Sequence, residues 1–101
     1  MFATVRRYEG VDRRRTEEVT EKISATLIPL LSRLPGFNDY YLLHASAGVM
    51  TSISFFDTAP HANDSTRATA AWVGEQGLVT ALPNPPRITI GEVVAHKTKP
   101  S

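Results

Sequence analysis

Between Phe2 and His96 the apolar residues change their period from segment to segment, and the order of those changes leaves few folds open. Phe2 to Glu9 is rich in β-formers and stops at Gly10, which reads as a strand. From Arg13 to Leu34 the apolar positions Val19, Ile23, Leu27, Leu30, Leu31 and Leu34 recur at helical spacing, with Asp12 placed to cap the start. Pro29 lies inside that pattern. It lacks a backbone donor and clashes with the carbonyl of Ala25, so a kink or break is expected there. Phe37 to Ala45 and Val49 to Phe56 read as two strands joined by the short turn Ser46-Ala47-Gly48. A second helix follows from Ala59 to Gln76, capped by Asp57 or Thr58, with Pro60 in its first turn and Gly77 at its end. The Pro-rich loop Pro83-Asn84-Pro85-Pro86 leads into a last strand, Arg87 to His96. The order β-α-β-β-α-β is the ferredoxin-like arrangement of the α+β class: a four-stranded antiparallel sheet with two helices on one face. Residues 1–96 form one domain on this reading, and 97–101 a loose basic tail.

Composition narrows the chemistry by exclusion. The 101 residues carry a net charge of +1, with 42% hydrophobic and 21% charged residues, which fits an ordinary globular chain. That balance gives no reason to expect a nucleic acid or a membrane surface as partner. No apolar run approaches the ~20 residues of a membrane helix, and the first residues lack the order of a signal peptide, so a soluble cytoplasmic protein is expected. Without cysteine there are no thiolate metal sites and no cysteine nucleophiles. His44, His61 and His96 are not at metal-ligand spacing, and no phosphate-binding glycine loop or nucleophile elbow is present. Neither a metal nor a cofactor is expected.

Two helices can cover only one side of the sheet. In Val49 to Phe56 both alternating sets carry large apolar groups, so the uncovered face calls for a second copy of the chain, most simply a two-fold homodimer. Together with Pro35-Gly36-Phe37 entering the second strand, Ser52-Ile53-Ser54-Phe55-Phe56-Asp57 closing the third, and a Ser/Ala-rich second helix ending near Trp72, this order resembles the dimeric α/β barrel superfamily, and within it the small antibiotic-biosynthesis-monooxygenase-like proteins. The resemblance covers nearly the whole chain in element order, and none of these motifs is catalytic. It implies a dimer with a pocket between sheet and helices in each subunit. The activities it brings into view are cofactor-free oxygenation of aromatic polyketides, haem degradation and lactone isomerisation. The haem-degrading members use an Asn on the first strand, a Trp early in the second helix and a His late in it. Here the first strand has Arg6 and Arg7, His61 comes early and Trp72 late, so that set does not transfer. The quinone-forming monooxygenases lean on an Asn, a Trp and a Tyr. Asn63, Trp72 and Tyr41 are the available types.

At about 100° per residue, His61, Ser65, Ala68 and Trp72 form one stripe of the second helix, flanked by Ala62, Thr66, Thr69, Val73 and Gln76. Small and semi-polar groups beside one Trp would leave room for a flat ligand, although close helix–sheet packing uses the same residues. His61 is the candidate catalytic base. Trp72 and Ser65 are candidates for substrate binding, with Arg6 or Tyr41 orienting a carbonyl. An ion pair with Glu9, Glu92 or Asp39 is the structural alternative for either strand arginine. The arginines Arg13-Arg14-Arg15 face Glu17, Glu18 and Glu21 and read as a self-neutralised surface. The function expected is cofactor-independent oxygenation of a small aromatic or conjugated carbonyl compound, whose enolate meets oxygen in a dry pocket. The alternative is a non-catalytic dimeric module for small-ligand binding or stress response. An RNA-binding sheet stands third, because the aromatic-basic motif it needs is missing.

Overall fold

The computed structural model describes residues 1–100. Strand β1 (Phe2–Glu9) lies inside the sheet, between β3 (Val49–Phe56) and the edge strand β4 (Arg87–Glu92). Strand β2 (Phe37–Ser46) forms the other edge, giving the order β2-β3-β1-β4 with every pair antiparallel. The order and class expected from the sequence are those observed. The last strand is shorter than the expected Arg87 to His96. Glu92 pairs with Phe2, where β1 starts, so residues 93–96 have no strand beside them beyond one bond from Val93 N–H to the Met1 carbonyl at 2.9 Å. Ser101, the last residue of the expected tail, lies outside the described residues.

The first helical rod is unbroken at Pro29. Asp12 accepts the Arg14 N–H at 3.0 Å and caps a 3₁₀ turn, Arg13–Arg15. There follow α1 (Thr16–Lys22), a π-helical stretch (Ile23–Leu27) and α2 (Ile28–Ser32). In place of a break, the chain widens one turn before the proline, with Ile28 N–H bonding the Ile23 carbonyl five residues back. This also explains the apolar spacing. Steps of four residues drift about 40° each around an ordinary α-helix, since 3.6 residues complete a turn. The wider π turn takes up that drift, and Val19, Ile23, Leu27 and Leu31 are all buried on one side.

Helix α3 (Ala59–Glu75) begins at Thr58, whose Oγ1 accepts the His61 N–H at 3.2 Å. Of the two caps the sequence offers, the structure uses this one. The buried positions of α3 are Ala62, Ser65, Thr69 and Trp72, so the inward stripe is turned slightly from the expected one and takes in Ala62 and Thr69. Small side chains here meet a sheet face that is itself polar: Thr4, Arg6, Ser52 and Ser54 are buried beneath the helices. The apolar core lies to one side of that row, where Val19, Leu27, Leu31, Met50, Trp72, Leu78 and Leu82 cluster.

The opposite face of the sheet is uncovered. The alternation of β1 and β3 puts Val5, Ile53 and Phe55 there, and β2 adds Tyr41 and Leu43, both exposed.

On the surface of the first rod, Glu18 bridges Arg15 at 2.9 Å and Lys22 at 3.3 Å. Bonds from Arg15 and then Lys22 hold its carboxyl down at about 2, below the ordinary 4.5. A carboxyl lowered on folding adds stability above its unfolded value and loses that contribution as pH falls through the folded one. Side-chain NMR titration is expected to show Glu18 ionising well below the ordinary range, returning towards 4.5 in Arg15→Met. The acid limb of the unfolding curve between pH about 4.5 and 2 should flatten in Glu18→Gln.

Candidate functional site

Arg6 is the only charged residue in the core among the described residues, at 2% exposure. β-Strand alternation aims it and Tyr8 inward and Arg7 outward, where Arg7 pairs with Glu9 at 3.8 Å. Arg6 itself forms no ion pair among the described residues, so the alternative expected for it is absent. Its Nη2 donates to Thr66 Oγ1 of α3 at 3.1 Å, and its buried Nη1 has no partner. Burial lowers the guanidinium pKa and the neighbouring phenols of Tyr8 and Tyr40 offset this in part. The group remains a cation at neutral pH.

Two hollows meet at this side chain. The outer one, of about 290 Å³, lies between α3, β1, β4 and the 83–86 loop. Arg6, Tyr8, Thr66 and Asn84 give it polar atoms, and Val73, Leu82, Pro83, Pro85 and Ile88 give it apolar walls. The inner one, of about 20 Å³, is lined by Arg6, Tyr8, Tyr40, Thr69 and Trp72, and is large enough for a single water. Arg6, Tyr8 and Leu82 line both. Neither lining contains a carboxylate or an imidazole among the described residues. Burial pushes both phenols up, opposed at Tyr8 by Arg6 and at Tyr40 by Ser52 and then Arg6. Un-ionised phenols can donate hydrogen bonds to a ligand oxygen and cannot take its proton.

Trp72 is a wall of the inner hollow, and its ring is pinned. Its indole N–H donates to Thr26 Oγ1 at 2.8 Å, and Thr26 in turn donates to the Lys22 carbonyl at 2.7 Å from within the π stretch. Lys22 Nζ reaches the Gln76 carbonyl at 3.0 Å, tying the two helical rods together at the end of α3.

The remaining expected residues lie elsewhere. Ser65 is buried and its hydroxyl donates to the Ala62 carbonyl at 2.7 Å, lining neither hollow. Tyr41 stands on the open face at 55% exposure, edge-on to Phe55 with ring centroids 6.2 Å apart. Its neighbour Tyr40 takes the inward place. His61 lies at the start of α3 against the 35–37 turn, away from both hollows, with its Nδ1 buried and unpartnered. Sequence reasoning missed Tyr8, Thr66 and the loop prolines. Tyr8 was within reach, since period two puts it on the face of Arg6. Of the basic run, Arg15 bonds Glu18 and Thr80 and Arg14 pairs with Asp12 at 3.6 Å, so the expected pairing with the following glutamates is made by Arg15. The groove beside it, of about 920 Å³, is wide and lined by surface groups of both signs.

Sequence comparison finds no matching protein-family model and no matching curated protein. Comparison of structures does find likenesses. A protein of unknown function from Nitrosomonas europaea, NE2512, superposes with a TM-score of 0.77 at 19% identity, over 99% of this chain and 95% of that one. A monooxygenase from the gene ActVA-Orf6 of Streptomyces coelicolor, solved in complex with nanaomycin D, gives 0.70 at 15% identity over 99% and 92%. Rv0793 from Mycobacterium tuberculosis gives 0.70 at 14% over 96% and 98%. Matching structures from Bordetella bronchiseptica and Caulobacter crescentus are provisionally named antibiotic biosynthesis monooxygenases. The fold is that of the antibiotic-biosynthesis-monooxygenase-like proteins. At these identities the likeness establishes the fold and leaves the chemistry to the residues.

Two substitutions test the site's physical basis. An unpartnered buried cation opposes folding, so Arg6→Met, which keeps the length and removes the charge, is expected to stabilise the ligand-free protein by about 1–3 kcal/mol in urea unfolding. Gly36 has φ +81°, and a Cβ there would meet His61 Cγ at 2.9 Å. Gly36→Ala should cost about 1–3 kcal/mol, with part recovered when combined with His61→Ala.

Proposed function

We propose that the chain works as a two-fold homodimer in which each subunit holds one small, flat aromatic or conjugated carbonyl compound in the hollow beside Arg6, and oxygenates it without a cofactor. The observation that carries this reading is a buried guanidinium without an ion-pair partner, in the wall of a hollow whose other walls are mostly apolar. Structures of the same fold include a named monooxygenase bound to nanaomycin D, which supports an aromatic ligand for this class of hollow.

The chemistry this hollow suits is oxidation of an electron-rich phenol or enolate by dioxygen. The ligand's carbanion form supplies the electrons and a C–O bond forms. Protonation of the peroxide and loss of its second oxygen as water leave a carbonyl. Arg6 would hold the ligand oxygen, the phenol of Tyr8 would donate to it, and the apolar walls would keep water from the carbanion. The base role expected of His61 has no place at this hollow, and the ligand's own acidity takes it over. A specific observation favours a second reading, non-catalytic binding: among the described residues no carboxylate or imidazole lines either hollow.

The dimer reading rests on the open face, where Tyr41, Leu43, Val5, Ile53 and Phe55 form a patch that nothing among the described residues covers. Light scattering should give twice the chain mass of 11.1 kDa, and Leu43→Glu, at an exposed position, should shift it to the monomer without unfolding it. An oxygen electrode separates the two functions. With 1,5-dihydroxynaphthalene and a metal chelator present, uptake proportional to protein supports the oxygenase. Binding seen by quenching of Trp72 without uptake supports the binding module.

A further inference from the structure

We infer that the hollow beside Arg6 selects its ligand as a monoanion: a flat aromatic or conjugated molecule whose single oxyanion, as carboxylate, phenolate or enolate, pairs with the guanidinium of Arg6. This rests on the proposed ligand hollow and adds the charge state in which the ligand is recognised.

Three observations carry it. Arg6 is buried, bears the only charge in either lining, and has no acidic partner among the described residues. A cation in low dielectric attracts one negative charge strongly, and an entering oxyanion restores the pair that the fold omits. The second observation is how Arg6 is held. Thr66 Oγ1 accepts Nη2 at 3.1 Å and donates to the Ala62 carbonyl at 3.3 Å, so that edge of the guanidinium is committed while Nη1 stays free.

The third is the absence of a base. Since neither lining holds a carboxylate or imidazole among the described residues, and the phenols stay protonated, no wall group can accept the ligand's proton. A weak acid entering here ionises because Arg6 stabilises the anion, and its proton leaves to the solvent. One cation also limits the charge. A phosphate dianion would remain uncompensated, whereas Val73, Leu82, Pro83 and Ile88 suit a hydrocarbon frame.

The test compares 2-naphthoate with its neutral near-isostere 2-naphthamide by calorimetry at neutral pH, with quenching of Trp72, the single tryptophan, as a second reading. Naphthoate is expected to bind the wild-type protein at least about tenfold more tightly, as a charge-assisted bond requires, and the preference should vanish in Arg6→Met. If Arg6→Met does not fold, Arg6→Lys replaces it and should cut the preference at least threefold. Equal affinities, or a preference unchanged by either substitution, would overturn the charge inference while leaving the hollow as a ligand site. Failure of both probes to bind would overturn the ligand-site reading itself, and the inference with it.

Discussion

The arrangement of this protein depends on one side chain placed against the usual rule. A guanidinium lies under the helices at 2% exposure, with a single threonine as its hydrogen-bond partner. Burying a charge without a counter-charge opposes folding, so the surroundings must supply what water would. Thr66 does so in part, and a row of buried hydroxyls, Thr4, Ser52 and Ser54 on the sheet and Ser65 and Thr69 on α3, shares that layer without bonding the guanidinium. The apolar core is pushed sideways, towards Leu27, Leu31 and Trp72, and the hollow opens where the two kinds of packing meet.

That division also explains the two helical rods. The first is a core helix, with large aliphatic groups on its inner side. The second faces the polar row and carries small groups, with Trp72 closing the gap between the two regimes. The ring is held by Thr26, a residue of the other rod, so the placement of the inner hollow depends on a contact between helices and not on the sheet alone. Lys22 strengthens the same junction from below.

Much of this was legible in the sequence. Period two in Val49 to Phe56, the four-residue steps from Val19 to Leu31 and the caps around Thr58 each give their element directly, and the strand order follows from them. Arg6 was legible as a site residue because a central strand seldom leaves an arginine without purpose. The failures have physical causes. Tyr40 and Tyr41 are neighbours, and a bulge between Phe37 and Asp39 decides which points inward. A helical wheel at 100° per residue placed His61 with Trp72, but eleven residues separate them, and three turns carry His61 past the sheet to the 35–37 turn. The loop prolines at 83–86 read as punctuation because their role as a wall arises only when the chain returns beside β1.

The π stretch has a consequence for how chain length can vary. A π turn is an α-helix with one residue to spare, so the segment from Ile23 to Leu27 is where the rod can lose a residue while α1 and α2 keep their phase. The same deletion would remove the seat that Thr26 gives the Trp72 indole. Insertions and deletions elsewhere in the rod would turn one end against the other by about 100° and expose its buried side. Sequences aligned to this chain should therefore tolerate a gap at that turn, and a shorter rod should be accompanied by a different anchor for the aromatic ring.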